Sequence, residues 1–180
     1  KDLGKVFKED DKLGGLDPYS ASKAALEIAV LSWRNSFFTR KNNLIKLATA
    51  RAGNVIGGGD YAKDRIVPDI VKAIINNQKI LIRNPNSSRP WQHVLESLNG
   101  YLILSEKLFK GCDNSLDSFN FGPDELNNRT VNDLVKKINY YWQCNWQYAE
   151  TKNQPYESKS IRLDISKAKM ILNWTPTWDY

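Results

Sequence analysis

The chain has 180 residues, with 26 Lys and Arg against 20 Asp and Glu, a formal net charge of +6, and 41% hydrophobic residues of which many are aromatic. That supply of large apolar side chains excludes intrinsic disorder, and the basic but mixed surface suits an anionic ligand. A mean hydropathy of −0.54, no apolar run near the ~20 residues of a bilayer span, and a charged KDLGKVFKEDDK start in place of a signal h-region exclude a membrane helix and predict a soluble, cytoplasmic protein.

Residues 1–16 are polar, contain Gly14-Gly15 and show no periodicity, so they read as an irregular approach. Asp17-Pro18 is a helix start, because Asp caps free N–H groups and proline suits the first turn. Ala24, Ala25, Leu26, Ile28, Ala29, Leu31, Trp33 and Phe37 then predict a long, mostly buried helix to about Phe38 or Arg40. A strand follows over Leu44 to Arg51 and ends in Gly53-Asn54-Val55-Ile56-Gly57-Gly58-Gly59-Asp60. Next come a helix from Ile66 to Asn77, a short strand from Lys79 to Arg83 and a turn-rich loop from Asn84 to Arg89. Trp91 to Val94 is extended, Leu95 to Lys110 helical, and Ser118 to Phe121 a strand closed by Gly122-Pro123. Thr130 caps a helix to about Trp142, Trp146 to Tyr148 and Ile161 to Leu163 are small strands, and Ser166 to Leu172 is a last helix.

Alternating helices and strands predict an α/β protein with parallel strands and right-handed crossovers. A doubly wound nucleotide-binding fold opens with a strand, a Gly-rich turn and a helix that holds a pyrophosphate. Nothing before residue 17 has that form, and Gly57-Gly58-Gly59 runs into Asp60 and polar residues. If the fold is Rossmann-like, its doubly wound sheet is expected here as the second half only, followed by a smaller C-terminal α/β region. Residues 1–60 would finish the Rossmann domain and 61–180 would mainly bind substrate, with 90–95 and 117–122 returning to the first unit.

The chemistry available is narrow. Cys112 and Cys144 lie far from each other and from His93, the single histidine. Zinc, a disulfide framework and a His-activated nucleophile therefore lack their residues. Scattered lysines with no Arg-rich tract or zinc-finger spacing argue against nucleic acid. Tyr19-Ser20-Ala21-Ser22-Lys23 is more specific, since it puts a phenol and an ammonium one turn apart near the positive end of a helix. A cation beside a phenol favours the ionised form, which can take a proton from an alcohol while hydride leaves the same carbon. The plain alternative is a surface tyrosine above a solvated lysine. The six tryptophans, Trp33, Trp91, Trp142, Trp146, Trp174 and Trp178, read as core or interface residues rather than a stacking platform.

DPYSASKAALE, RAGNVIGGGD, RIVPDIVKAI, IRNPNSSRPWQHV, FNFGP and LDISKAKMILNWTP together resemble the extended branch of the short-chain dehydrogenase/reductase superfamily. LGGLDPYSASK, RAGNVIGGGD and RNP…RPWQHVLE are similar, within that branch, to the CDP-glucose 4,6-dehydratase family. The resemblance implies an NAD-dependent lyase acting on a CDP-sugar, homo-oligomeric when full-length, in deoxysugar and polysaccharide synthesis. It implies that Tyr19 is the base at the sugar 4-hydroxyl and that Lys23 holds the nicotinamide ribose, both touching the cofactor. Asn54 of R-x-x-N and Arg89 of RPWQHV would contact the diphosphate, Arg65 would be a second anion contact, and Asn84 with Pro85 would lie near the cytosine. A turn asparagine and a surface arginine stacked on Trp91 are the plain alternatives for Asn54 and Arg89, and His93 reads as structural. The family's glycine loop, its Ser/Thr partner to the tyrosine and its acid/base pair are expected upstream of Lys1, so the chain reads as a carboxy-terminal portion, inactive alone. Another extended-branch epimerase or dehydratase, or a non-catalytic sugar-nucleotide-binding remnant, stays open as an alternative.

Overall fold

The structure, a computed structural model, describes residues 5–38, 44–111, 116–124, 129–149 and 160–178. In chain order the elements are β1 (Val6–Phe7), α1 (Pro18–Trp33) running into a π-helical turn (Arg34–Phe38), β2 (Thr49–Ala52), β3 (Val55–Ile56), α2 (Ile66–Ile75), β4 (Ile80–Ile82), β5 (Ser88–Arg89), β6 (Gln92–His93), α3 (Val94–Phe109), β7 (Ser118–Phe121), β8 (Arg129–Thr130), α4 (Val131–Tyr141), β9 (Trp146–Tyr148), β10 (Arg162–Leu163) and a second π-helical turn (Ala168–Leu172). Four pairs are parallel, β1 with β10, β2 with β7, β3 with β6 and β4 with β9. β5 and β8 pair antiparallel. The fold is α/β and Rossmann-like, as expected, with its strands gathered in two-stranded pairs.

Two cores hold these pairs. Phe119 and Phe121 of β7 are packed with Leu104 of α3, Leu116, Ile165, Ala168, Leu172 and Trp174. The rings of Tyr101 and Trp174 meet Phe121 edge-on, at 5.4 and 5.0 Å between centres. α3 approaches so closely that a methyl group on Gly100 would stand 2.3 Å from the Phe121 ring, which only glycine avoids. The second core joins Ile70 and Ala73 of α2, Ile80 and Ile82 of β4 and Val135 of α4.

The helix ends follow their local sequences. The Asp17 carboxylate accepts the Ser20 amide at 2.9 Å and Pro18 occupies the first turn of α1. Thr130 and Asp133 form a reciprocal capping box on α4. α2 stops two residues short of the expected Asn77 because Asn77 turns left-handed at φ 51°. The amides of Asn77 and Gln78 then bond back to Ile74 and Ala73, closing the helix. Asn173, at φ 55°, ends the last turn likewise, and that turn is π-helical over most of the predicted helix.

Other expectations need correction. Residues 1–16 are not wholly irregular, since Val6–Phe7 is a strand whose partner lies near residue 162 and therefore leaves no local signal. The strand predicted from Leu44 begins only at Thr49, because its partner β7 offers four residues. Ser88–Arg89, read as loop, pairs with Arg129–Thr130. The largest correction concerns α1, whose single buried residue is Ala24. Leu26, Ile28, Leu31 and Trp33 are each more than half exposed. Residues are set about 100° apart on a helix, so Leu26 and Ile28 fall on opposite sides and one packing surface cannot cover both. Of the tryptophans, Trp91 and Trp174 are buried, Trp146 partly so, and Trp33, Trp142 and Trp178 about half exposed. Among the described residues no helix is long and apolar enough to cross a membrane. Cys112 and Arg40 lie outside the described residues.

Candidate functional site

Two contacts orient α1. The Arg34 guanidinium at its end lies 3.9 Å from Asp117, which precedes β7. Seven residues earlier, Glu27 bonds Thr49 and Arg51 of β2. The helix therefore runs antiparallel to β2 and β7 and carries its first turns past their carboxyl ends, where ligands enter open α/β sheets. Tyr19 and Lys23 sit on those turns. The Tyr19 phenol is 72% exposed, and the Lys23 ammonium lies 5.7 Å from the ring centre. An open phenol with a cation against it is able to exchange a proton with a hydroxyl ligand.

Asn54 follows β2 in the turn to β3, with its side chain exposed and its carbonyl accepting the Gln92 amide at 3.0 Å. A methyl group on Gly53 would stand 2.8 Å from the Pro90 carbonyl, so this turn and the Pro90–Gln92 segment are in close contact. The structure thus brings Asn54 next to the chain that follows Arg89. Arg89 itself is buried and donates through Nη1 to the Ser88 carbonyl at 2.9 Å. Asn84 is half-buried, and its carbonyl accepts the Ser87 amide in a turn packed on the start of α4.

Arg65 is exposed at the start of α2 and donates to Asp60 at 2.9 Å. The Ala62 amide and Arg65 together hold the Asp60 carboxyl below its usual range. Gly57 to Tyr61 and the first turns of α2 line a hollow of about 120 Å³ beside this pair. A larger hollow of about 340 Å³, lined by Lys8, Glu9, Asp117, Asp164 and Lys167, lies at the opposite end of β7. Lys8 pairs there with Asp164 and Lys167 with Asp117, and none of the predicted residues lines it.

Sequence reasoning missed three residues. Gln92 is buried and donates to Ser97 Oγ at 2.7 Å and to the Phe121 carbonyl at 3.0 Å, tying β6 to the end of β7. Glu27 and Arg51 form an ion pair between α1 and β2. Their signal was present, since Glu27 continues the Tyr19, Lys23 spacing of four and Arg51 opens R-x-x-N. His93 is structural, as expected. Its Nδ1 accepts the Leu95 amide at 3.2 Å and its ring meets Trp178 edge-on, while the buried Glu96 accepts the Thr177 and Trp178 amides.

With this architecture the chain belongs to the family described as GDP-mannose 4,6 dehydratase, whose model matches residues 3–180. Among its relatives, the chain is 44% identical to a CDP-glucose 4,6-dehydratase of Salmonella typhimurium over 177 residues, 96% of this chain and 49% of that protein. Solved structures extend the likeness in fold. A UDP-glucuronic acid 4-epimerase from Bacillus cereus superposes with a TM-score of 0.80 at 19% identity, covering 97% of this chain and 52% of that one. A dTDP-glucose 4,6-dehydratase from Bacillus anthracis gives 0.79 at 19% identity, covering 98% and 52%. The chain spans about half the length of the Salmonella relative, and its match to a dTDP-D-glucose 4,6-dehydratase of Dictyostelium discoideum, 29% identical, covers 76% of this chain and 28% of that protein.

Proposed function

We propose that the native protein carrying this chain is an NAD-dependent CDP-glucose 4,6-dehydratase. The observation that carries the reading is the open phenol of Tyr19 with the Lys23 ammonium against it, on a helix delivered to the carboxyl ends of β2 and β7. The Salmonella relative supports the substrate, and the epimerase and dehydratase structures in complex with NAD support the cofactor. The residues fit one end of that cofactor. A phenol and an ammonium one helical turn apart suit the hydroxyls of a nicotinamide ribose, so Tyr19 and Lys23 would hold it. Among the described residues the start of α2 does not suit the pyrophosphate end, because it comes well after Gly59 and has no side-chain cap.

Held at its ribose by Tyr19 and Lys23, NAD would supply the redox chemistry, a hydride acceptor for sugar C4 and a hydride donor for C6. Tyr19, acting as the phenolate paired with the Lys23 ammonium, accepts the proton of the 4-hydroxyl and is left as the neutral phenol. With C4 oxidised, the C5 hydrogen is acidified and water departs across C5 and C6. Arg89 and Arg65 answer the negative charge of the diphosphate, Asn54 orients it, and Asn84 with Pro85 faces the cytosine. In this reading residues 1–60 belong to the NAD-binding unit and 61–180 mainly to the substrate unit, with 90–95 and 117–122 returning to the first.

The test is incubation of the native protein with NAD and CDP-, UDP- or dTDP-glucose, followed by chromatographic separation of the sugar nucleotides and mass spectrometry. Loss of one water from CDP-glucose alone is expected. A sugar isomer of unchanged mass would make the protein an epimerase, and equal rates on all three substrates would remove the CDP assignment.

A further inference from the structure

Glu27 stands eight residues after Tyr19 and four after Lys23, on the same stripe of α1. Its carboxylate receives Arg51 Nε and Nη2, each at 2.9 Å, and Thr49 Oγ1 at 2.9 Å. The remaining arm of Arg51 donates to the Glu9 carbonyl at 3.1 Å, and Glu9 in turn accepts the Asn120 amide of β7 at 2.8 Å. Both side chains of the pair are largely shielded from solvent. One forked joint thus fastens α1, β2, the segment after β1 and β7 to each other, with the Arg34–Asp117 contact beyond it at the end of the helix.

From this joint the two halves of the candidate site are reached by rigid paths of similar length. Tyr19 lies about 12 Å back along the helix at 1.5 Å per residue, and Asn54 about 10 Å forward along extended chain. Because α1 runs antiparallel to β2, both paths lead toward the carboxyl ends of the strands. We infer that Glu27 and Arg51 are positioning residues that set the separation of the Tyr19–Lys23 pair from the Asn54 turn. The inference rests on the proposed function and adds to it a joint outside the reacting groups. A bidentate carboxylate–guanidinium fork holds orientation as well as distance, which a single ammonium contact does not.

The test compares Glu27→Gln, Glu27→Asp and Arg51→Lys in the native protein, with Tyr19→Phe as reference. Asp keeps the charge but falls one methylene short, and Lys keeps the charge but loses the fork. Each is expected to lower kcat roughly tenfold or more while KM for CDP-glucose stays within about threefold, since small misplacements of reacting groups cost rate rather than binding. Hydrogen exchange should quicken in the first two turns of α1. Folded variants that keep wild-type kcat beside an inactive Tyr19→Phe would overturn the joint and leave the proposed function standing. If Tyr19→Phe stays active, the proposed function fails, and exchange in α1 alone decides the joint: faster exchange keeps it and unchanged exchange removes it. Failure of all three variants to fold would make the pair purely structural and overturn the inference.

Discussion

In the proposed reading Tyr19 is the base, and the residue is exposed and takes no part in either core. Tyr19→Phe in the native protein should therefore lower turnover by ~10²–10⁴ and leave sugar-nucleotide affinity nearly unchanged. Turnover and calorimetric titration with CDP-glucose check this, and a variant with more than a tenth of the wild-type rate would place the base elsewhere. Arg89→Ala should weaken CDP-, UDP- and dTDP-sugars alike, because a guanidinium reads the diphosphate and not the base. Discrimination restricted to one base would contradict it. Tyr19 and Lys23 were legible in the sequence because their spacing is local, and so was the cap at Asp17. The contacts of Gln92, Glu27 and Arg51 were not, since these partners lie 22 to 29 residues away, and the spacing of four and R-x-x-N mark Glu27 and Arg51 without saying that they meet.

Among the elements, α4 depends most visibly on its first turn. Thr130 and Asp133 satisfy each other's backbone there, so Thr130→Ala should cost about 1 kcal/mol and lower Tm by roughly 2–4 °C. An unchanged melting curve would show that the box is dispensable. α1 carries a pH dependence of its own. Burial pushes the Glu27 carboxyl up, but the Arg51 fork and Thr49 outweigh it and hold the group below its ordinary range. A carboxyl lowered in the folded protein stabilises it fully above the unfolded value and loses that contribution as pH falls through the lowered one. The native protein should lose stability below about pH 5, and Glu27→Gln should flatten part of that acid limb in denaturant titrations. An acid limb identical in the variant would assign the loss to other carboxyls, of which Asp117 beside Lys167 is one. Helices with tight caps were placed within a residue or two from sequence. The two-residue strands β1 and β5 were not, because a pair that short is defined only by its distant partner.

At the scale of the molecule, α1 leaves Leu26, Ile28, Leu31 and Trp33 largely uncovered. A surface of that kind associates or binds apolar probes. The 180-residue chain by itself should self-associate with rising concentration, and light scattering that shows a monomer throughout would count against this. Calorimetry of the same chain with NAD should show no micromolar binding, because in the proposed reading Tyr19 and Lys23 would meet only the ribose, and α2 offers no glycine-turn terminus to the pyrophosphate. The fold class was legible from the alternation of helix and strand. The exposure of α1 was not, since its apolar residues encircle the helix and hydropathy alone does not say which sides are covered.

The division of the tryptophans gives the protein an optical readout of its own. Trp174 is sealed beside Phe121, and Trp91 is equally shielded, so both should emit at short wavelength and resist iodide. Trp33, on the last turn of α1, is open to solvent and should emit further to the red and quench readily. Loosening of α1 at its Glu27 joint would then change the quenchable light alone, while the shielded emission would hold steady until the packing around β7 gave way.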